Sequence, residues 1–520
     1  MEAHAEHHHH PLHPAEEAEL GEKGLKKNAI GFIDGLIIGI ASTAPAYSLA
    51  AVLAIVVVLV GVQAPAVLLA SFVPMFLIAS SFYYMNRADP DCGTTFSWIT
   101  RAMGPSLGWV GGWAVCTTGI IVVGSLAQVA AYYTFDLLSL EYLRDSRLWQ
   151  TVFTIGIIGV MTLICVLGTE LSALVQRVMI LAQVGALLLF ATVALIKVAG
   201  NDAPAGSIDP ELSWFSPFAV DSLSILVLGL LTGVFIYWGW ESAVNLNEET
   251  EDSATSPGLA AVVSTVVLLV TYVATTTAVV AFAGLELVAE YEDDPGLFGA
   301  IAPDVLGNGL DWIVVLAIIT SALASTQTTI LPASRTALSM ARQGAFPAVL
   351  GKVHPRFLTP HVSTIVVGAI SAVWFGVLFN VSENFLFDSL TALSLMIAFY
   401  YALNGFACAI YYRRELTKSV KNFLFIGVGP VVGGGILAYL FFKAIDEYRQ
   451  TDQSYSGNEI FGVAVPVALG VGLLILGVAL MLAWRATGHE SFFGRKREVV
   501  DPDVAAGRVA GVAAVPEEAV

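Results

Sequence analysis

Long apolar runs separated by short polar ones dominate the chain. They recur at about 29–62, 65–85, 108–134, 150–168, 172–197, 222–246, 259–284, 311–334, 361–379, 386–411, 422–443 and 460–484. About 20 helical residues, at ~1.5 Å each, cross a ~30 Å hydrocarbon core. The runs are continuous and do not alternate with polar positions, so they predict helices and not the strands of a barrel. The pattern gives an all-α polytopic membrane protein with twelve transmembrane helices.

Two runs are interrupted. The first is far longer than one crossing needs, and its middle reads Gly39-Ile-Ala-Ser-Thr-Ala-Pro45, where small residues and proline favour a break. The spacing predicts two half-helices joined by an unwound segment at 39–45; the alternative is one kinked helix. The sixth run ends in Phe235-Ile-Tyr-Trp-Gly-Trp-Glu-Ser-Ala-Val-Asn-Leu-Asn-Glu-Glu-Thr250. Gly239 loosens the helix there, and Glu241 is a carboxylate within an apolar segment. Such a group is costly in a membrane unless it faces a cavity or a partner. Freed backbone is tolerated at that depth only in a protein interior or along a cavity. The bland reading is a glycine at a helix crossing and a glutamate near the membrane surface.

Composition agrees with the pattern. Of the 520 residues, 56% are hydrophobic and 13% charged, against roughly 25% charged in soluble domains. The net charge of −18 argues against a nucleic-acid partner, which calls for basic patches. The four cysteines lack metal-site or redox spacing, and the run His7–His10 reads as incidental or tag-like. If both ends lie in the cytoplasm, only Arg144, Arg147, Lys197, Lys443 and Arg449 of the 24 lysines and arginines fall on the far side. That bias predicts a cell-membrane protein with both termini cytoplasmic.

Spans one and six open two units of five. Five is odd, so the second unit is inverted, and interrupted helices at matching positions of inverted halves point to a transporter site near the midplane. The predicted organisation is a disordered tail at 1–27, a first repeat at 28–200, a second at 201–415, two further helices at 416–486 and a polar cytoplasmic tail at 487–520.

Four stretches resemble the amino acid–polyamine–organocation permeases: Ile37-Ile-Gly39 leading to Pro45; Pro90-Asp-Cys-Gly-Thr-Thr-Phe-Ser-Trp98; Trp238-Gly-Trp-Glu-Ser-Ala243 with Asn247-Glu-Glu-Thr250; and Ser334-Arg335 through Ala341-Arg-Gln-Gly-Ala-Phe-Pro347. The resemblance implies the leucine-transporter fold, with a 5+5 inverted repeat, discontinuous helices one and six, and alternating access. It also implies where a substrate binds. Amides near Gly39, Ala41, Ser42 and Thr43 suit a carboxylate, because helix N-termini are partly positive. Carbonyls near Phe235, Ile236 and Trp238, beside Gly239, suit an ammonium group, and Trp238 and Trp240 would close over it. Many members read Gly-Ser-Gly where this chain has Gly39-Ile40-Ala41, which leaves less room for close backbone approach.

No cofactor is expected, but transport against a gradient needs a coupled ion or an exchanged solute. One sodium-site pattern in this fold maps onto the carbonyls of Ile38, Ala41 and Ala322 and the hydroxyls of Ser325 and Thr326. Hydroxyls of this kind also commonly bond their own helix. For a proton, Gln183 stands where some relatives carry lysine and cannot titrate. Glu241 is the better carrier, since a carboxyl withdrawn from water favours its neutral form.

The expected function is secondary active transport of amino acids or related amines. A polyamine or organocation exchanger, or a solute sensor without transport, is the alternative. Catalytic motifs of a membrane enzyme are absent from the sequence, as are the repeated filter elements of a channel.

Overall fold

The computed structural model describes residues 20–505 except 22, 169, 382–383 and 449–453, together with 514–516. Among these residues, ten segments are long and apolar enough to cross a membrane. The first, Phe32–Ala88, is three helices: α1 (Phe32–Thr43), α2 (Pro45–Val60) and, after a short turn, α3 (Ala64–Ala88). A short amphipathic helix, α4 (Thr95–Met103), leads to α5 (Pro105–Leu137). Then come α6 (Arg147–Leu167) and α7 (Glu170–Ala199). The sixth run gives α8 (Leu223–Tyr237) and, past a break, the single turn α9 (Ser242–Asn245). Helices α10 (Ser256–Ala289), α11 (Leu297–Leu306), α12 (Trp312–Arg342), α13 (His361–Val381), α14 (Phe385–Tyr411), α15 (Gly429–Tyr448) and α16 (Val465–Ala486) complete the bundle.

Burial sorts the helices into a centre and a rim. In α5, 89% of the most apolar window is buried, against 22% in α6. Leu163 on α6, Val373 on α13 and Leu482 on α16 are exposed members of an apolar belt, the surface a lipid core would cover.

The break in the first run is narrower than its composition predicts. Residues 39–43 stay helical, and Ala44 alone turns left-handed, with φ 51°. The amide of Ala44 caps the carbonyls of Ile40 and Ala41, and Pro45, which lacks an N–H, restarts the helix at its first position. Side-chain hydroxyls take up the carbonyls left over: Ser325 donates to Ser42 O at 2.7 Å and Ser48 to Thr43 O at 2.8 Å. The sixth run breaks as predicted: α8, with 15 residues, ends at Tyr237, and 238–241 are turn.

The expectation of a disordered tail at 1–27 needs correction for the residues from Leu20 onward that the structure describes. Residues 1–19, with His7–His10, lie outside the described residues, but from Leu20 the chain is ordered. Lys23 pairs with Asp91 at 2.9 Å and Glu248 at 2.5 Å, Leu25 is fully buried, and Ile30 forms a backbone bridge to Thr250. Burial alone would lower the Lys23 ammonium, yet the two carboxylates hold it well above its usual range. The C-terminal segment is likewise anchored. Phe492 is fully buried against Phe96, and Glu498, in strand β1 (Glu498–Val500) paired with β2 (Ala514–Pro516), accepts from Arg101 at 3.0 Å. Charge in the sequence hid these ends because the partners are distant in the chain.

Arg101 also pairs with Asp89 at 2.6 Å. Burial pushes the Asp89 carboxyl up to about 6 despite Arg101, with Asp91 and Glu498 adding to the rise and Lys23 opposing it. A raised carboxyl means that the folded chain holds more protons than the unfolded one between about pH 4 and pH 6, so Asp89 lowers stability as pH rises through that window. The melting temperature of the native chain, relative to Asp89→Asn, is expected to fall from pH 4 to 6 and level off above 7. A constant difference would show that Asp89 ionises normally.

Candidate functional site

The two breaks lie against each other. The hydroxyls of Ser42 and Ser242 are 2.6 Å apart, and a Cβ on Gly239 would lie 2.7 Å from the Ser42 carbonyl oxygen. Gly39 is tight in the same way: its Cβ would meet the carbonyl oxygen of Trp240 at 3.3 Å. Gly239 also has φ 118°, which side chains rarely adopt. Gly239→Ala adds left-handed strain to a clash with backbone, together roughly 2–5 kcal/mol. A large drop in melting temperature and loss of solute binding are expected; a native melting temperature would mean the breaks are not in this contact.

Glu241 is 4% exposed and sits at the junction. Its Oε1 accepts from the Tyr400 hydroxyl at 2.6 Å, and its Oε2 accepts from the Tyr401 hydroxyl and from the Gly239 amide at 3.2 Å. Trp238 Nε1 donates to the Tyr400 hydroxyl in turn. Three donors therefore converge on one carboxylate, and among the described residues no Lys or Arg pairs with it. Trp240 is fully buried, stacked on Tyr401 with ring centroids 5.3 Å apart, and Phe82 meets it edge-on. This cluster ties the break in the sixth run to α14.

Several expected site groups are already engaged. The amides of Gly39, Ala41, Ser42 and Thr43 lie inside α1, where helical bonding occupies them, so the expected carboxylate cradle does not form there. The first amides outside helical bonding follow Pro45, at the partly positive start of α2: that of Ala46, and that of Tyr47, which donates to Ser321 Oγ at 3.4 Å. The Phe235 carbonyl accepts from the Trp238 amide, and that of Ile236 from the Tyr272 hydroxyl at 2.9 Å, so each already has one protein donor.

The residues mapped to a sodium site come together only in part. Ser325 reaches Ser42, but Thr326 donates to the Ala322 carbonyl of its own helix at 2.7 Å, and the Ala41 carbonyl caps the Ala44 amide. Ile38 lies within α1. Gln183 is buried and turned towards Thr320 on α12.

Sequence reasoning missed Tyr47, Ser125, Ser321, Tyr400 and Tyr401. Pro45 was a usable signal for Tyr47 alone, since a proline at a helix start leaves the amides after it outside helical bonding; Ser125 and Ser321 reach Tyr47 only through the fold. Tyr47 and Ser125 join by their hydroxyls at 2.5 Å. From Ser125 a cavity of about 320 Å³ runs between α5 and α14 to the face away from the N-terminal segment, past Gln128, Asn384 and the loop Asp293–Pro295. At the N-terminal face, Arg335 and Glu249 form a buried ion pair at 2.6 Å beside the Lys23 cluster.

The sequence profile described as amino acid permease matches residues 29–483. The methylthioribose transporter of Bacillus subtilis is 23% identical over 57% of this chain, which spans 63% of that protein's length. The branched-chain amino acid permease BcaP of Lactococcus lactis is 22% identical over 78% of this chain and 86% of its own. Among solved structures, MhsT in complex with L-phenylalanine superposes with a TM-score of 0.55 at 16% identity, covering 79% of this chain and 98% of that one.

Proposed function

We propose that this chain, which belongs to the amino acid permease family, carries a small amino acid or related amine across a cell membrane by alternating access coupled to an ion. Membership of that family makes it a multi-pass membrane transporter and not an enzyme; substrate, coupling and mechanism are our reading. The observation that carries the reading is the contact between the two breaks, Ser42 against Ser242, with Glu241 fixed beside them.

Counting α1–α2 and α8–α9 each as one interrupted span, with α4 and α11 outside the membrane, gives twelve spans. The first five and the next five then form inverted halves, and interrupted helices open both. The Lys and Arg bias sets the N-terminal face in the cytoplasm. Ion pairs close that face, and the cavity reaches from the opposite one towards Tyr47, a geometry that fits an outward-facing state. The substrate carboxylate would meet the amides of Ala46 and Tyr47 and the Ser321 hydroxyl. Aromatic rings of Trp238, Tyr400 and Trp240 would bound the rest. The relatives' names span branched-chain amino acids and methylthioribose, so the family alone fixes no substrate.

For coupling we favour a proton on Glu241. Its three donors stabilise the carboxylate, and on protonation one hydroxyl must turn away, which would loosen the bridge to α14. Sodium is the second reading, because Ser325 already meets the Ser42 carbonyl across α12 and α1.

Proteoliposomes separate the readings. Labelled leucine or arginine should accumulate with an inward proton gradient and collapse when it is discharged. Accumulation that follows a sodium gradient and is lost in Ser325→Ala would select the second. If no amino acid or amine raises the melting temperature or enters vesicles, amino acid transport is wrong.

A further inference from the structure

We infer that the cavity beneath Asp293 and Asp294 is an outer vestibule that gathers ammonium-bearing solutes and repels anionic ones. The inference rests on the transport reading for its purpose but not for its test. The floor is Ser125, bonded to Tyr47 at the first break, so a solute coming from this face meets the cavity before the junction. The rim is acidic. Asp293 is exposed, and Asp294 holds its place by accepting from the Tyr132 hydroxyl at 3.1 Å and the Gly296 amide at 2.8 Å through a single oxygen, Oδ1. Among the described residues, the lining contains no Lys or Arg. In the wall, the carboxamide oxygen of Gln128 is buried and has no donor among the described residues. Every one of these features suits a donor-bearing cation.

The described cations around the cavity are engaged by protein acceptors, and Arg147 donates to the Asn380 carbonyl at 3.4 Å. Arg144, over the Tyr132 ring, is tied to Asp136 at 2.7 Å and to Asp145 at 3.0 Å. Lys197 donates to the Asp304 carbonyl. Glu292 is a third carboxyl in this loop, and burial and the neighbouring Asp293 raise it, the mark of acids crowded together. A cleft of one sign with low-dielectric walls concentrates counter-ions by ~10-fold or more. A zwitterion would therefore enter ammonium first, and a dicarboxylic amino acid would be disfavoured.

The test measures access, not transport. None of the four native cysteines lines this cavity, so Val129→Cys in the full chain gives one reporter in its wall. Its reaction rates with a cationic trimethylammonium and an anionic sulfonate methanethiosulfonate are each divided by the rate with free cysteine. The cationic reagent should then react about tenfold faster. The paired change Asp293→Asn and Asp294→Asn, or 0.5 M salt, should reduce the preference several-fold, since ~0.1 M salt already screens beyond ~10 Å. Equal normalised rates would overturn the inference, as would a preference unmoved by the paired change. If Val129→Cys melts early, Ala51→Cys replaces it; if neither reporter reacts with either reagent, the cavity is not an access path and the inference also fails. Because no flux is read, a chain that transports no amino acid could still pass, and one that does could still fail.

Discussion

Glu241→Gln should abolish proton-driven accumulation and flatten the pH profile of uptake, while solute exchange at equal concentrations persists. The side chain is nearly isosteric, so the contact between the breaks survives. Its chemistry does not. The carboxylate accepts from Tyr400, Tyr401 and Gly239, and the amide offers one oxygen where two carried those bonds. Hydrogen bonds to a charged group contribute about 1.5–3 kcal/mol each, so losing one shifts the balance between states by roughly 10- to 150-fold. Tyr401→Phe should reproduce part of the loss and keep pH dependence, because the titrating group remains. Uptake into neutral vesicles from acidic and from neutral medium, with counterflow as control, distinguishes the cases. A Glu241→Gln chain that accumulates solute with the native pH profile would end the proton reading.

How much of this was legible in the sequence depended on distance along the chain. Spans were readable because each is a local run of apolar residues, and Gly239 with Glu241 marked a real break because both lie within one run. The first break was misplaced for a local reason too. Gly39 suggested flexibility, but Ile40 and Ala41 hold a helix well, and the chain turns only where Pro45 forbids a hydrogen bond to the turn before it. What closes the site was not legible. Tyr400 and Tyr401 stand about 160 residues from Glu241, and in an apolar run two tyrosines read as packing. Lys23 looked like a solvated tail charge because Asp91 and Glu248 reach it only through the fold. Asp34 on α1 is held by Arg177 on α7 at 2.6 Å, and Glu249 by Arg335, both pairs made between distant parts of the chain.

That last pair should show the other large effect. Arg335 and Glu249 have side chains 1% and 3% exposed. Removing either partner strands a buried charge, at about 3–5 kcal/mol, so Arg335→Ala and Glu249→Ala should each lower the melting temperature sharply. Replacing both with apolar residues of similar volume, Arg335→Met with Glu249→Leu, should restore most of it, because two desolvation penalties vanish together with the attraction. Transport should not return with stability. When the N-terminal face opens to water, separated ions regain hydration, which offsets the lost attraction and keeps opening cheap. An apolar pair gains nothing from water and resists opening by roughly 25 cal/mol for each Å² exposed. The double variant should therefore melt near the native temperature yet take up solute at least tenfold more slowly. Native uptake in that variant would mean the pair only supports the fold, and that the face opens elsewhere.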